Sequence, residues 1–278
     1  MTDDSSEARD RKALVRGYFG GIATTYDSIG PPIFTVLGRM LVERADIPRG
    51  AHVLDVATGR GAQLFAAADA VGPTGHVVGV DLSPEMVREA AIEIAQRGVT
   101  HATIRQMDAE ALEFPDATFD RVTCGFALFF FPAAERALAE FHRVLRPGGK
   151  VATSTWGELD PRWAWYDELT RRHNVPNVNI GTGRFKMPSE LESALGQTGF
   201  VDVKAQVESI EFIFANEDEW WDRMWAHGGS VELAGVAQEI LARFKADAFE
   251  RMQAARGPEG LHRVTHIVFA TATKPPQP

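Results

Sequence analysis

Apolar residues in the first half of the chain fall into short blocks whose spacing switches between two periods. Residues 51–57 form a compact apolar run of strand length, and apolar positions recur at helical spacing in residues 61–71. The same alternation predicts strands at 51–57, 75–81, 102–107, 119–126 and 150–156 and helices at 61–71, 83–97 and 132–145. Strands that alternate with helices pair in parallel and carry helices on both faces. The pattern therefore predicts a doubly wound α/β fold.

The pattern changes beyond residue 156. Helical or strand spacing continues in blocks at 160–173, 189–198, 201–213, 217–252 and 261–273. The first, second and fourth blocks have helical spacing, and the third and fifth alternate like strands. Glycines interrupt the fourth block near Gly228. We therefore expect a seven-stranded, mostly parallel sheet with an antiparallel last strand, and insertions at 157–200 and 214–256 that cover its ligand edge.

The two ends of the chain are predicted to lie outside the packed domain. Residues 1–12 are polar and mixed in charge, which predicts a disordered leader, and three prolines in residues 274–278 predict a disordered tail. We interpret residues 13–45 as a helical lid with a glycine-rich joint and a second helix from residue 33 to residue 45. A single domain is thus expected at 13–273, with its ligand-binding core at 46–156.

Composition and charge narrow the range of partners. A length of 278 residues with 45% hydrophobic content suits one domain, and a formal net charge of −9 disfavours nucleic acid as a partner. Cys124 is the only cysteine, which excludes an internal disulfide and a multi-thiolate metal site and suits a cytoplasmic location. No uncharged apolar stretch of about 18 residues occurs, so no membrane span is expected. A homodimer is possible, and no metal site is predicted.

The turn after the first predicted strand carries the main functional signal. Gly59 and Gly61 lack side chains, so a ligand can approach the backbone closely at the start of the next helix. Asp81 ends the next strand about twenty residues later, where a carboxylate can accept hydrogen bonds from both hydroxyls of a ribose. The spacing therefore predicts a nucleoside site.

A dinucleotide cofactor and a cationic nucleoside are the two alternatives for this site. The dinucleotide fingerprint has glycine or alanine where this chain has Leu64, and a pyrophosphate on the turn would lie close to the charge of Asp55. A nucleoside that also carries positive charge suits Asp55 better.

Four segments in order resemble the motifs of class I S-adenosylmethionine-dependent methyltransferases. They are 53–61, 77–83, 107–110 and 145–149, and they are similar to those of the ubiquinone and menaquinone biosynthesis methyltransferases. The resemblance implies a Rossmann-like fold and S-adenosyl-L-methionine as the cofactor. It also implies these contacts: Asp55, Ala57, Thr58, Gly59 and Gly61 with the methionine part, Asp81 with the ribose, Leu82 and Met86 with the adenine face, Asp108 and Ala109 with the adenine edge, and Phe126 near the sulfonium.

Ala57 departs from the family pattern, because many members have glycine there. We expect its φ to stay negative, since a methyl group is then tolerated. From the lid, Tyr26 is expected to close over the cofactor.

Aromatic residues concentrate outside the cofactor half of the chain. All six tryptophans lie at or beyond residue 156, which favours a flat or hydrophobic small-molecule acceptor. The residues predicted to line its pocket are Tyr18, Trp156, Tyr166, Phe185, Trp221 and Trp225. The alternative for Trp221 and Trp225 is that, at helical spacing, they pack their helix on the core.

His227 is the candidate catalytic residue. It lies in a Trp-Ala-His-Gly-Gly segment at a predicted helix end, and this segment resembles a recurring Trp-x-His-Gly segment of small-molecule methyltransferases. A neutral imidazole could deprotonate an acceptor hydroxyl or acidic carbon. The alternative is a histidine that only caps the helix, where the dipole favours it.

Methyl transfer from a sulfonium is an in-line displacement that depends mainly on positioning. The leading hypothesis is therefore methylation of an oxygen or carbon, rather than a nitrogen, of a small acceptor. Two alternatives remain: a cofactor-binding fold that catalyses a non-methylating reaction such as a cyclisation, and a nicotinamide-dependent dehydrogenase.

Overall fold

The computed structural model describes residues 4–176, 180–229, 233 and 235–276. The helices are α1 (Asp4–Ile22), α2 (Ile33–Ala45), α3 (Ala62–Val71), α4 (Pro84–Gln96), α5 (Ala134–Val144), α6 (Trp165–Arg172), α7 (Pro188–Gln197), α8 (Glu217–Met224) and α9 (Gln238–Met252). The strands are β1 (His52–Val56), β2 (His76–Asp81), β3 (Ala102–Gln106), β4 (Phe119–Gly125), β5 (Leu145–Leu159), β6 (Val201–Phe214), β7 (Arg256–Gly257) and β8 (Gly260–Thr273).

The strands form one sheet in the order β3-β2-β1-β4-β5-β8-β6, with β7 paired to β8. The first five strands of the chain pair in parallel, and β8 runs antiparallel between β5 and β6. The predicted doubly wound, mostly parallel sheet is confirmed. The additional strand, β7, has only two residues and forms a hairpin with β8.

The winding of the sheet reverses at β1, which has β2 on one side and β4 on the other. In open α/β sheets, ligands bind in the crevice outside the carboxyl ends of the strands at such a point. The segments that follow Val56 and Gly125 therefore face each other across the candidate ligand crevice.

Helices cover both faces of β1, which explains its apolar composition. Val53 packs on the α3 face together with Leu64, whereas Leu54 and Val56 pack on the α5 face together with Phe141. All of these side chains are fully buried. Burial of each such side chain contributes about 1.5 to 3 kcal/mol, so β1 is held rigidly from both sides.

The ends of the chain are more ordered than the sequence pattern indicated. The predicted disordered leader is wrong for residues 4–12, which belong to α1, because Lys12 finds two carboxylate partners far along the chain. The predicted disordered tail is wrong for Lys274, whose N–H donates to the Gly149 carbonyl at 2.8 Å. Residues 1–3 and 277–278 lie outside the described residues.

The insertions form shorter helices than their spacing predicted. The block at 160–173 divides into a 3-10 turn, Pro161–Trp163, and α6, because Asp160 caps the turn by accepting the Arg162 N–H. Helix α8 ends at Met224 and continues as one π turn, Trp225–Gly229. In the described part of the chain, no helix is long and apolar enough to cross a membrane.

Gly260, which starts β8, packs closely against the end of the neighbouring strand β6. Its φ is 141°, and a Cβ there would lie 2.1 Å from the Phe214 carbonyl oxygen. We expect Gly260→Ala to lower the free energy of unfolding by about 2 kcal/mol or more, because the strained backbone must shift. Urea denaturation measures the change. Gly196→Ala is the control, since a Cβ at Gly196 meets no atom within 4 Å, and equal stability of the two variants would contradict the prediction.

Candidate cofactor cleft and acceptor cavity

The turn after β1 is built on left-handed backbone. Ala57, Gly59 and Gly61 have φ values of 54°, 55° and 94°. The expectation of a negative φ at Ala57 is therefore wrong. Left-handed alanine costs about 1 to 2 kcal/mol, and the bond from the Thr58 N–H to the Val80 carbonyl, at 3.0 Å, helps to hold it. Strain of this kind concentrates at ligand sites.

Asp55 lies beneath this turn rather than on its surface. The carboxyl is fully buried and accepts hydrogen bonds from the hydroxyls of Thr58 at 2.5 Å and Thr123 at 2.7 Å. Burial raises the pKa of Asp55 to about 7 although both bonds act to lower it. Asp55 and the buried Thr58 hydroxyl thus tie the turn to β4, and the structure gives Asp55 no open face toward a ligand.

Asp81 joins the turn to the end of β2. One carboxyl oxygen accepts the Gly59 N–H at 2.8 Å, and the other accepts the Ser83 N–H at 2.9 Å. Each oxygen keeps a second lone pair, so the carboxylate can still accept hydrogen bonds from a ligand. Burial raises the pKa of Asp81 above its ordinary value.

A cavity of about 90 Å³ lies in front of Asp81 at the carboxyl ends of the strands. It contains most of the residues predicted for the cofactor: Tyr26, Ala57, Gly59, Asp81, Leu82, Met86, Asp108, Ala109 and Phe126. An adjoining polar cavity of about 300 Å³ shares Tyr26, Ala57, Gly59 and Gly125 with it and adds Thr58. We call the two together the cofactor cleft.

Lys12 of α1 closes the end of this cleft that contains Asp108 and Ala109, where the sequence predicts the adenine edge. Its ammonium lies 2.7 Å from a carboxylate oxygen of Asp108 and 2.5 Å from one of Glu110. Glu110 is buried and also accepts the Ala133 N–H at 2.8 Å. The sequence pattern missed Lys12 because no local signal links residue 12 to a carboxylate 96 positions away.

Five rings stand together at the other end of the cleft: Tyr26, Phe34, Phe126, Trp156 and His227. Phe126 and Trp156 lie 4.2 Å apart between ring centroids, and Tyr26 stacks on Phe34 at 4.9 Å. His227 stacks on the same Phe34 ring at 5.7 Å. We call these residues the ring layer.

A second cavity, of about 360 Å³, lies on the far side of the ring layer. We call it the aromatic cavity, and its lining includes Phe34, Trp156, Trp163, Tyr166, Trp220, Arg223, His227 and Arg263. Of the residues predicted for the acceptor, Trp156 and Tyr166 lie here. The sequence pattern missed Phe34, Trp163 and the two arginines, which α2, the 161–163 turn, α8 and β8 bring together.

The remaining predicted acceptor residues do not line the aromatic cavity. Phe185 is buried beside β5, where its carbonyl accepts the Thr155 hydroxyl at 2.6 Å. Trp221 packs on Phe244 of α9 at 6.0 Å and on Trp225 at 6.3 Å, which is the packing alternative. Tyr18 donates its hydroxyl to the His227 carbonyl at 3.0 Å.

Comparison with known proteins identifies the family. Residues 53–149 match the family model described as a methyltransferase domain. The nocamycin O-methyltransferase of Saccharothrix syringae is 31% identical over 255 residues, which cover 83% of this chain and 90% of that protein. The chain belongs to the S-adenosylmethionine-dependent methyltransferases. This membership favours the methyltransferase hypothesis over a nicotinamide-dependent dehydrogenase.

Two further similarities agree with this assignment. The ubiquinone/menaquinone biosynthesis C-methyltransferase UbiE of Burkholderia mallei is 35% identical over 169 residues, 59% of this chain and 69% of that protein, which confirms the resemblance seen in the motifs. The crystal structure of the YcgJ protein from Bacillus subtilis matches the fold with a TM-score of 0.60 at 20% identity, over 86% of this chain and 97% of that one.

The cleft of this methyltransferase fits S-adenosylmethionine. A Cβ at Gly59 would meet no atom within 4 Å, so open space lies directly in front of the turn. The free lone pairs of Asp81 suit two ribose hydroxyls, and the apolar Leu82 and Met86 beside them suit an adenine face. In the described residues, no cluster of histidine, cysteine or carboxylate side chains could hold a metal ion.

His227 is fixed by hydrogen bonds on both sides of its ring. Nδ1 lies 3.1 Å from the Arg223 carbonyl, to which it donates, and Nε2 accepts the Asp27 N–H at 3.3 Å. Burial, followed by the charge of Arg223, lowers the pKa of His227 to about 4. A general base needs an available lone pair and a pKa near the working pH. The structure therefore does not support the predicted catalytic role of His227 and instead gives it a role in holding the lid.

Arg223 is the centre of that contact. Its guanidinium is buried and donates to the carbonyls of Ile29 at 2.8 Å and Pro31 at 2.7 Å, and it lies 3.4 Å from the Asp27 carboxylate. The segment between α1 and α2 is thus fastened to α8, and the ring layer is held in place by the same contacts.

Asp55 should make the stability of the methyltransferase depend on pH. Its pKa of about 7 exceeds the ordinary 3.8, so the folded protein holds a proton that the unfolded chain releases between these values. Relative to Asp55→Asn, the wild type should lose stability as pH rises from about 4 to 7, by no more than about 4 kcal/mol. Urea denaturation at a series of pH values measures this. A pH-independent difference between the wild type and Asp55→Asn would contradict the prediction.

His227 should remain neutral across the physiological range. With a pKa of about 4, its ring should keep the Nδ1–H form from about pH 5.5 to pH 8.5. Nitrogen NMR of histidine-labelled protein reports the tautomer, and the spectrum of His227→Gln assigns the signal. A titration midpoint between about pH 6 and 7 at this residue would show that the imidazole is open to solvent instead.

Proposed function

We propose that this methyltransferase methylates an oxygen or a carbon of a small aromatic or hydrophobic acceptor bound in the aromatic cavity. The observation that carries the proposal is the ring layer, which lies between this cavity and the cofactor cleft. Phe126 lines the cleft, Trp156 lines the cavity, and their rings are in contact. An acceptor in the cavity would therefore lie next to the end of the cofactor predicted to carry the sulfonium.

The chemistry of the cavity supports a flat acceptor. Trp156, Trp163, Tyr166 and Trp220 present ring faces or edges, and Trp163 stacks on Trp220 at 5.7 Å. Aromatic side chains of this kind bind aromatic ligands by offset or edge-to-face contacts. The similar proteins named above are an O-methyltransferase and a C-methyltransferase, so the acceptor atom is proposed as either oxygen or carbon.

When bound, S-adenosylmethionine supplies a methyl group on a positively charged sulfur. The chain contributes positioning: Asp81 holds the ribose hydroxyls, and Lys12 fastens α1 over the adenine end. Holding two reactants in line in this way can supply much of the rate enhancement of a displacement.

The acceptor is proposed to be ionised before it reacts. His227, the residue predicted to act as a base, has both ring nitrogens in hydrogen bonds and a pKa of about 4. An acceptor oxygen that is already charged at neutral pH needs no proton acceptor from the protein. A carbon activated by such an oxygen also attacks without prior deprotonation, and it loses its own proton to solvent only after the methyl group has been transferred.

Binding of the cofactor through Asp81 tests the proposal. Calorimetric titration should show that S-adenosylmethionine and its demethylated product bind the wild type. Asp81→Asn should bind them about 10- to 100-fold more weakly, because a charge-assisted hydrogen bond contributes about 1.5 to 3 kcal/mol. Asp202→Asn removes an exposed carboxylate of β6 and should leave the affinity unchanged. No binding to the wild type, or equal affinity of Asp81→Asn, would contradict the proposed function.

A further inference from the structure

Arg263 places a positive charge in the wall of the aromatic cavity. It lies on β8 two residues before Thr265, so the two side chains share the face of the strand that lines the cavity. The guanidinium carbon lies 5.7 Å from the centre of the Trp163 ring. An aromatic face attracts a cation but leaves its hydrogen-bond donors unused.

The Arg263 guanidinium has no acidic partner in the part of the chain that the structure describes. Among the described residues, no carboxylate oxygen lies within 4.0 Å of it and none accepts a hydrogen bond from it. The nearby Asp160 is committed elsewhere, since it accepts from the Arg162 guanidinium at 2.7 Å and from the Val264 N–H at 3.0 Å. Arginine donates five N–H groups. The cavity therefore contains hydrogen-bond donors that no described residue of the protein uses.

A second arginine increases the positive charge at this wall. Arg223 also lines the cavity, and its own donors are used by the Ile29 and Pro31 carbonyls and by Asp27. Burial and the charge of Arg223 lower the pKa of Arg263 below its ordinary value. The one carboxylate of the described residues that lines the same cavity is that of Asp167, which is an exposed residue.

We propose that Arg263 binds an anionic group of the acceptor, so that the substrates of this enzyme are flat aromatic molecules with a carboxylate or a similarly ionised oxygen. The inference rests on the proposed function, because it takes the aromatic cavity as the acceptor site. The planar guanidinium can donate two parallel hydrogen bonds to such a group. The rings around it bind the uncharged part, and Trp163 keeps the guanidinium in place.

The overall negative charge of the protein does not explain a preference for an anionic acceptor. A protein with a formal net charge of −9 repels anions in general, so binding of an anion requires a local positive site. Arg263, which has no carboxylate partner among the described residues, supplies that site in the wall of the aromatic cavity. The charge of the acceptor would then select among molecules whose rings fit equally well.

A pair of probes of equal shape tests the inference. Calorimetry would compare 2-naphthoate with the neutral 2-naphthamide on the 278-residue chain saturated with S-adenosylhomocysteine. The wild type should bind the anion at least tenfold more tightly. Arg263→Met should lose this preference, Arg263→Lys should retain part of it, and Arg251→Met, which removes an exposed charge of α9, should not change it.

The outcomes separate this inference from the proposed function. Equal affinity of the wild type for both probes, including no affinity for either, would overturn the role of Arg263, as would an unchanged preference in Arg263→Met. Binding of S-adenosylhomocysteine, measured in the same titrations, should be equal in the wild type and Arg263→Met, and its absence from the wild type would instead contradict the proposed function. If Arg263→Met does not fold, the wild-type comparison and Arg263→Lys still decide the result.

Discussion

The buried carboxyl of Asp55 is the contact on which the cofactor cleft depends. It accepts hydrogen bonds from a hydroxyl of the turn after β1 and from a hydroxyl of the adjacent β4. It therefore joins the two strands at which the winding of the sheet reverses. The turn anchored in this way has positive φ values at Ala57 and Gly59. Asp81 then accepts the Gly59 N–H and fixes the turn to β2. One polar network thus aligns three strand ends against a single cleft.

The lid is fastened over that cleft at two places. Lys12 holds α1 to the carboxylates of Asp108 and Glu110, and Arg223 holds the chain between α1 and α2 to α8. Both contacts bury charge, so each is stable only while its partners remain in place. The second contact also sets the position of His227. The His227 ring belongs to the ring layer because it stacks on Phe34, and a hydrogen bond to the backbone holds it there. The pKa of His227 is low because this position is buried and close to Arg223.

The ring layer lies between two sites of different chemistry. On one side are polar groups arranged for a nucleoside, and on the other is a cavity of indole and phenol rings with arginine in its wall. An apolar cavity alone would accept any flat molecule. In its proposed role, Arg263, which has no carboxylate partner among the described residues, adds a charge requirement, because a desolvated guanidinium gains more from an anion than from a neutral group of the same shape.

The sequence alone determined the order of helices and strands, the doubly wound sheet and the residues at the carboxyl ends of its strands, because hydrophobic period and motif spacing are local properties. It placed Asp81 and Gly59 in the cleft for the same reason. Only the tertiary structure decided which way side chains face: Asp55 is covered by Thr123, and both nitrogens of His227 are in hydrogen bonds. Such contacts join residues far apart, as between Lys12 and Asp108, 96 positions away, and Arg223 and Asp27, 196 positions away, and no local pattern encodes them.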